Sequence, residues 1–280
     1  MGAKFVCSGY YFERMIYVVL KTCQIQEIRH LIQEYIQTLS SPFDSFLEEH
    51  ILSSEFYVIL EDSNEIGYYA IHHGQLLTQF YVRPSYLKAA QELFYQVINK
   101  YNLESLFVPT CDELFVSLAL DKDFHITKQA YFFQDSRLEL MEKESLKKDD
   151  IFGPATLDDL LPIQEVCGDF LDQYEKRITN GELFTYYRGS VLLGVGVLEK
   201  SKMLDGFASI GMFTNENYRN QGIGRNIILK LRKWCYSQQL APICGCWYYN
   251  EASKKTLESA GMITRTRLLN IKVILPEQVE

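Results

Sequence analysis

The sequence has few of the features that mark proteins of membranes, nucleic acids or the secretory pathway. Its 280 residues hold 28 Lys and Arg against 36 Asp and Glu, so a strongly basic surface is excluded. The apolar run from Phe5 to Leu20 is interrupted by Glu13 and Arg14. It is too broken for a membrane span and lacks the layout of a signal peptide. We therefore expect a cytoplasmic protein that binds neither nucleic acid nor membranes.

Cysteine and histidine are too scattered to build a disulfide framework or a metal site. The seven cysteines form an odd set without regular spacing. Cys244 and Cys246 would point to the same side of a strand, but the sequence places no second cysteine or histidine pair near them. We expect small buried thiols in a reducing compartment and no bound metal.

Length and charge divide the chain into two halves. A chain of 280 residues is long for one compact domain and sufficient for two domains of about 140 residues each. Residues 1–150 carry 13 Lys and Arg against 22 Asp and Glu, whereas residues 151–280 carry 15 against 14. The nearly neutral second half is therefore the better place for an anionic cofactor.

Hydrophobic periodicity predicts nearly the same order of elements twice, with helices before, between and after the strands. In the first half we expect helices at 24–39, 43–52, 87–101 and 113–120, and strands at 55–61, 66–72, 76–82, 105–109 and 127–133. In the second half we expect helices at 157–173, 223–237 and 251–260, and strands at 183–188, 191–200, 207–214, 241–248 and 264–274. This order predicts an α/β fold in which each half holds a mixed sheet covered by helices. Whether the two sheets join stays open.

A charge-rich connection is predicted between the halves at residues 137–150. Gly153-Pro154, just after this connection, is expected to interrupt regular structure. Thr156 and Asp159 have the spacing of a capping box at the start of the next helix. Pro162 is unfavourable inside that helix and indicates a true start near residue 161.

The most informative segment runs from Asn217 to Arg225, with the sequence NYRNQGIGR, between a predicted strand and a predicted helix. Gly222 and Gly224 allow the backbone to approach a ligand closely, and the helix start offers free N–H groups and a positive dipole end. Together these features favour a site for phosphate or pyrophosphate. The third glycine of a dinucleotide fingerprint and the Gly-Lys-Ser/Thr of a P-loop are both missing.

This segment resembles motif A of the GNAT acetyltransferases, whose pattern is Arg/Gln-x-x-Gly-x-Gly/Ala. Arg219, Gly222 and Gly224 match that pattern. Downstream, Asn250, Ser253 and the pair Gly261-Met262 fit the family's Asn-x-x-Ala/Ser…Gly-Phe pattern. The resemblance covers residues 151–275, and the stretch 242–262 is most similar to the zwittermicin-resistance-type branch of the family.

The resemblance implies acetyl-CoA as the co-substrate of the second half. Backbone groups at the end of the strand before motif A would pair with the pantetheine arm, N–H groups of the glycine segment would hold the pyrophosphate, and the downstream motif would flank the thioester. The cofactor-binding residues so implied are Met212, Phe213, Thr214, Arg219, Asn220, Gln221, Gly222, Ile223, Gly224, Arg225, Asn250 and Ser253.

The catalytic residues are less well defined by the sequence. The family often places an acidic tyrosine seven residues after the motif asparagine, but here that position is Leu257, which fits the apolar face of a helix. Tyr248 and Tyr249 are the candidate acids for the leaving thiolate, against a simple role in aromatic packing. The second half has no histidine, so the candidate bases are carboxylates: Glu199, at a strand end, comes first, and Asp169, Asp172 and Glu175 are the alternatives.

The first half, residues 1–145, resembles a degenerate copy of the same fold. Ala90 and Glu92 stand where the second half has its two motif glycines, and a glutamate there would repel a pyrophosphate. We expect this half to bind no CoA and to shape the acceptor site of the catalytic half, residues 151–280.

The resulting hypothesis is an N-acetyltransferase that moves an acetyl group to a primary amine of a small molecule by direct attack on the thioester. One alternative is an acyl-CoA-binding sensor or scaffold without turnover, which the leucine at the tyrosine position favours. Another is protein N-acetylation, for which the acidic first half could attract basic peptides. A homodimer is compatible with the sequence, although the chain already pairs two such domains.

Overall fold

The computed structural model describes residues 18–140 and 149–274. Cys7, the first part of the apolar run that begins at Phe5, and the charged residues 142–144, 147 and 148 lie outside the described residues. Within the described part, the two halves contribute the same series of elements. Each half runs strand, two helices, three strands, helix, strand, helix, strand.

The bounds of the elements follow the predicted periodicity closely. The first half contains β1 (Val18–Cys23), α1 (Arg29–Thr38), α2 (Ser45–Leu52), β2 (Glu55–Glu61), β3 (Asn64–His72), β4 (Leu76–Val82), α3 (Ala90–Tyr101), β5 (Ser105–Pro109), α4 (Glu113–Leu120) and β6 (His125–Asp135). The second half contains β7 (Asp150–Pro154), α5 (Leu160–Cys167), α6 (Tyr174–Thr179), β8 (Leu183–Arg188), β9 (Val191–Lys200), β10 (Phe207–Thr214), α7 (Ile223–Ser237), β11 (Ala241–Trp247), α8 (Glu251–Ser259) and β12 (Met262–Lys272).

Three predictions about local structure were wrong. The helix expected from residue 24 begins only at Arg29, after a turn. The helix expected over 157–173 is divided, because Gly168 adopts φ +52° and ends α5, and α6 follows separately. Gly153 and Pro154 belong to β7 rather than to a loop; β7 is an edge strand, where a proline is tolerated.

The capping box predicted just before α5 is confirmed. Thr156 and Asp159 form the expected capping box, in which the Thr156 N–H donates to Asp159 Oδ2 at 2.7 Å. Pro162 lies in the first turn of α5, where a backbone N–H would have no partner within the helix.

The described strands form one sheet of twelve, in the order β1-β2-β3-β4-β5-β12-β6-β11-β10-β9-β8-β7. The predicted mixed sheets are confirmed, and the two join into one continuous sheet, a point that the sequence left open. β4–β5 and β10–β11 are parallel pairs, and the other pairs are antiparallel. The centre of the sheet is the long β6–β12 ladder, which runs from Met262 opposite Asp135 to Lys272 opposite His125.

The two halves exchange their last strands. β12, from the second half, lies between β5 and β6 and pairs with β5 of the first half. β6, from the first half, pairs with β11 of the second half. Each half therefore completes the sheet of the other, and the hydrogen bonds of these edges are satisfied only in the whole chain.

A shared hydrophobic core reinforces this exchange on the face covered by α1 and α2. Leu204 and Ile243 from the second half pack in the same buried cluster as Phe43 and Leu47 from the first. Beside them the buried Glu48 reaches across to the turn after β9, where its Oε1 accepts hydrogen bonds from the Ser201 hydroxyl at 2.5 Å and from the N–H groups of Lys202 and Met203 at 2.9 and 2.8 Å. Helix α2 of the first half is thus fixed against the second half.

Candidate functional site

The parallel strands β10 and β11 diverge after a short contact. Their pairing covers three residues on each strand and ends at Ser209 and Ile243. Beyond that point β10 stays paired with β9, and β11 stays paired with β6, on their other sides. The divergence opens a space between residues 210–214 and 244–247, which we call the second-half cleft.

Met212, Phe213 and Thr214, expected from the resemblance to bind pantetheine, form the β10 side of this cleft. All three are partly exposed, and their backbone pairs with β9 on the side away from the cleft. A strand edge of this kind carries N–H and C=O groups that must find partners, so an extended amide-containing chain can bind there as an added strand.

The loop between β10 and α7 is held by its own polar side chains. Asn215 accepts a hydrogen bond from the Asn217 N–H at 3.1 Å and donates one to the Leu192 carbonyl at 2.9 Å. The chain then passes through two left-handed positions, Asn220 at φ +61° and Gly222 at φ +81°. A left-handed conformation is unstrained only for glycine, and it turns the loop into the first turn of α7.

The start of α7 has the geometry of an anion site. Gly222 is its N-cap and no side chain caps it, so the N–H groups of Ile223 and Gly224 have no partner within the helix. At Gly224, a Cβ would lie 3.1 Å from Thr214 Oγ1 and 3.2 Å from Thr256 Cγ2. The glycine therefore lets α7 pack closely against the end of β10.

Two arginines of the motif are directed elsewhere. The Arg225 Nε donates to the Ser259 carbonyl at 2.9 Å, at the end of α8. Arg219 lies exposed and pairs with Glu216 at 3.0 Å. In this arrangement anion binding at the loop, which also contains Gln221, depends on backbone N–H groups and on the helix dipole.

Helix α8 borders the cleft on the β11 side. Asn250 is its N-cap, and the Asn250 side chain accepts the Ser253 N–H at 3.0 Å. The asparagine thereby fixes the first turn of α8. Burial raises the pKa of the Cys246 thiol on β11 to about 11, and a hydrogen bond with Ser253 partly offsets this rise. Leu257 is buried in the core, in agreement with the prediction of a packing role.

The two candidate tyrosine acids have different environments. Tyr248 stacks on Tyr131 of β6, with ring centroids 4.5 Å apart and an interplanar angle of 11°. The Tyr131 hydroxyl, followed by the positive charges of Lys128 and Arg267, lowers the pKa of Tyr248. Tyr249 is 58% exposed and lies against Trp247. A lowered pKa favours proton donation, so Tyr248 is the better of the two.

The cations around Tyr131 were not recognised in the sequence. Lys254 lies 4.9 Å and Arg267 4.3 Å from the centre of the Tyr131 ring, and Lys128 lies 5.0 Å from that of Tyr248. They come from three different elements, so no local pattern links them. Their charge makes the α8 side of the cleft favourable for an anion.

Glu199, the candidate base, lies at the end of β9 opposite Ser209, on the face of the sheet covered by α2. Arg177 of α6 pairs with Glu199 at 2.5 Å and also with Asp172 and Glu182, both at 3.2 Å. These residues line a polar pocket of about 380 Å³ between α2 and α6. Arg177 thus holds the Glu199 carboxylate in an ion pair, which the sequence did not indicate.

A carboxylate from the first half, which the sequence analysis missed, lies beside this site. Asp44 caps α2, and its Oδ1 accepts the Leu47 N–H at 3.1 Å. Its other carboxylate oxygen lies against Gly245 of β11, so that a Cβ at Gly245 would overlap it. Burial, with smaller contributions from the charges of Glu199 and Glu48, raises the pKa of Asp44 to about 7. The only signal in the sequence is that of a helix N-cap.

The equivalent space in the first half is filled. β4 and β5 also pair over only two residues and then diverge, which defines the first-half cleft. There β4 is buried from Leu77 to Val82, and Phe80 packs against Phe94 with ring centroids 5.2 Å apart. Glu92 stands in the first turn of α3. The first-half cleft therefore has no accessible strand edge of the kind seen at β10.

Two further searches concern the described residues alone. They contain no helix with the length and apolar character needed to cross a membrane. They also contain no group of three or more His, Cys, Asp or Glu side chains arranged to hold a metal ion. The six cysteines within the described ranges are free thiols.

Comparison with solved structures defines the class of fold. An acetyltransferase of the GNAT family from Colwellia psychrerythraea superposes with a TM-score of 0.81 at 21% identity, covering 91% of this chain and all of that one. A GCN5-related N-acetyltransferase from Sphaerobacter thermophilus gives a TM-score of 0.66 at 10% identity, over 91% and 95% of the two chains. A tandem GNAT protein from the clavulanic acid biosynthesis pathway gives 0.61 at 11% identity, over 91% and 98%. The chain therefore has the fold of tandem GNAT acetyltransferases.

In the sequence itself, residues 24–136 match the family model of the acetyltransferase (GNAT) domain. This match falls on the first half, which lacks the two motif glycines, and agrees with the expectation that this half is GNAT-like. No curated protein sequence matches the chain. The family model and the solved structures therefore agree that this chain is similar to GNAT acetyltransferases in fold.

Proposed function

We propose that the second half, residues 151–280, is the catalytic domain of an acetyl-CoA-dependent N-acetyltransferase that acts on a primary amine of a small molecule. The observation that carries this proposal is the second-half cleft, which leads from the glycine N-cap of α7 to the exposed end of β10. It combines an anion site with a free strand edge, and CoA presents a pyrophosphate followed by an amide-rich arm.

The roles of the binding residues follow from their positions. N–H groups from Asn220 to Arg225 hold the pyrophosphate, and the β10 edge from Met212 to Thr214 pairs with pantetheine. Asn250 and Ser253 form the opposite wall at the start of α8. The lysine and arginine side chains around Tyr131 add positive charge on that side.

The reaction is direct attack of the amine on the thioester carbonyl. Tyr248 protonates the departing thiolate, because the lowered pKa of its phenol is closer to the pKa of a thiol. The amine must lose a proton to become a nucleophile, and Glu199 lies on the acceptor side of the sheet but is neutralised by Arg177. The first half, residues 1–145, binds no CoA in this proposal and covers the acceptor side through α2.

Calorimetric titration with acetyl-CoA tests the proposal. Gly222→Glu places a negative charge at the α7 N-cap, strains the left-handed backbone there, and should weaken binding at least 100-fold. Ser85→Glu places the same charge in the exposed loop before α3 of the first half and should leave binding unchanged. Equal affinities for both variants and the unmodified chain, or no binding by the unmodified chain, would contradict a CoA site in the second half.

Release of free CoA then separates an enzyme from a non-catalytic acyl-CoA sensor. An enzyme consumes the thioester in the presence of small primary amines, whereas a sensor binds acetyl-CoA and leaves it intact. Basic peptides in place of small amines test protein acetylation in the same assay.

A further inference from the structure

The Asp44 carboxylate of the first half lies against Gly245, on the β11 side of the second-half cleft. Gly245, against which it lies, is two residues beyond the last pair between β10 and β11. Ile243 and Gly245 lie on one face of β11, since they are two residues apart. Ser209 of β10 pairs with Ile243, and Glu199 of β9 pairs with Ser209, so both lie on that same face of the sheet. Asp44 and Glu199 therefore lie on the same side of the sheet, next to the point where the cleft opens.

The charged and titratable groups around Asp44 come from four elements. Glu48 follows it on α2, Glu199 faces it from β9, and Cys244 and Cys246 lie on β11. Behind Glu199 stands Arg177 of α6. Because both neighbouring carboxylates add negative charge, the site attracts a cation, as a protonated amine is at neutral pH.

Of the three carboxylates, Asp44 is the one suited to exchange a proton. Glu48 is committed to three hydrogen bonds with the turn after β9. Glu199 is held by Arg177 at 2.5 Å. Asp44 uses Oδ1 for the Leu47 N–H, while Oδ2 is directed at the cleft strand, and burial raises its pKa to about 7. A base with a pKa near the working pH is the most effective one.

We propose that Asp44 accepts a proton from a positively charged primary amine bound on the α2 face of the second-half cleft, so that the active site is composed of both halves. This inference rests on the proposed acetyltransferase function. One ammonium proton passes to Asp44, and the neutral nitrogen forms a bond with the carbonyl carbon. The carbon–sulfur bond breaks with its electron pair on sulfur, Tyr248 donates its proton to the thiolate and regains one from the attacking nitrogen, and Asp44 returns its proton to solvent.

The test uses the full chain, acetyl-CoA and two amines that differ in their need for a base. The amine 1,3-diaminopropane is protonated at neutral pH, whereas hydroxylamine is mostly unprotonated. Asp44→Asn keeps the helix cap and should lower transfer to 1,3-diaminopropane about 100-fold, while transfer to hydroxylamine changes less than about 3-fold. In the unmodified chain the ratio of the two rates should rise with pH up to about 7 and then level off.

A matched control is available in the first half. Asp112 caps α4 as Asp44 caps α2, is equally buried, and its Oδ1 accepts the Phe115 N–H at 2.9 Å. Asp112→Asn should leave both transfer rates unchanged. If Asp44→Asn slows both amines equally, slows neither, or if the unmodified chain binds acetyl-CoA without acetylating either amine, the inference is overturned. Failure to bind acetyl-CoA at all would instead overturn the proposed function, and the inference with it.

Discussion

The second-half cleft and the first-half cleft lie between equivalent strands but differ in burial. β4 is buried from Leu77 to Val82, whereas β10 is partly exposed from Gly211 to Thr214. In the first half aromatic rings fill the divergence of the strands, and in the second half the strand edge is left accessible. The same fold thus has a filled space in one half and an accessible strand edge in the other, because a few side chains decide whether the space between diverging strands is filled.

The strongest test of this comparison is to separate the halves. Fragments 1–145 and 149–280, expressed alone, should fail to form stable monomers, because each lacks the exchanged strand that pairs with its fifth strand. Mixing the fragments should restore a cooperative thermal transition close to that of the intact chain, measured by circular dichroism. If either fragment alone unfolds cooperatively as a monomer, the exchanged strands do not hold the halves together.

A second test removes one side chain from each cleft. Phe80 stands two residues before the end of β4 and packs in the cluster that contains α3 residues. Met212 stands two residues before the end of β10 and packs against the cluster that contains α7 residues. Phe80→Ala should lower the free energy of unfolding by about 3–5 kcal/mol, because it leaves a cavity in a closed core. Met212→Ala should cost about 1 kcal/mol, since that side chain is already partly in contact with water. Urea denaturation measures both, and equal losses would show that the clefts are filled alike.

The smallest effect concerns the pH dependence of stability through Asp112, the buried cap in the first half. Burial raises its pKa from 3.8 to about 6. Between these values the folded chain binds more protons than the unfolded one, so stability falls as pH rises through this window. In the unmodified chain this lowers the free energy of unfolding by on the order of 2 kcal/mol between pH 4 and 7, and Asp112→Asn should remove that decrease.

The corresponding variant of Asp44 serves as the comparison in that experiment. Its pKa is raised to about 7, so the loss of stability that Asp44→Asn removes should extend to higher pH than that removed by Asp112→Asn. Unfolding free energies at half-unit steps of pH measure both windows. Identical profiles for the two variants would mean that the open and closed halves bury their cap carboxylates to the same extent.

Much of the fold was predictable because the signals are local. The strand at Glu55–Glu61 and the helix at Ile223–Ser237 follow directly from side-chain periodicity. Gly222 adopts a left-handed conformation and Gly224 allows close packing of α7, while the predicted approach of a ligand to these glycines stays a prediction. The split of the helix expected over 157–173 was missed because its apolar spacing continues past the glycine that ends it.

The candidate site was predictable only in part. The loop and strand positions for CoA came from a contiguous motif, and the structure brings them together along one cleft. Asp44 was missed because it is about 200 residues from Gly245 in the chain, and as a sequence feature it is simply a helix cap. Glu199 was chosen from its strand end, and no sequence pattern indicated that Arg177 would pair with it.

The sequence by itself determined the order of the central strands and helices of each half and the glycine turn at the start of α7, because each depends on residues within one or two turns of chain. The tertiary structure decided that the halves share one sheet, that β6 and β12 are exchanged, and that helix α2 of the first half covers the site of the second. These features depend on which strand edges meet across more than 100 residues. That choice is set by the total burial and hydrogen bonding of the folded chain and not by any local pattern.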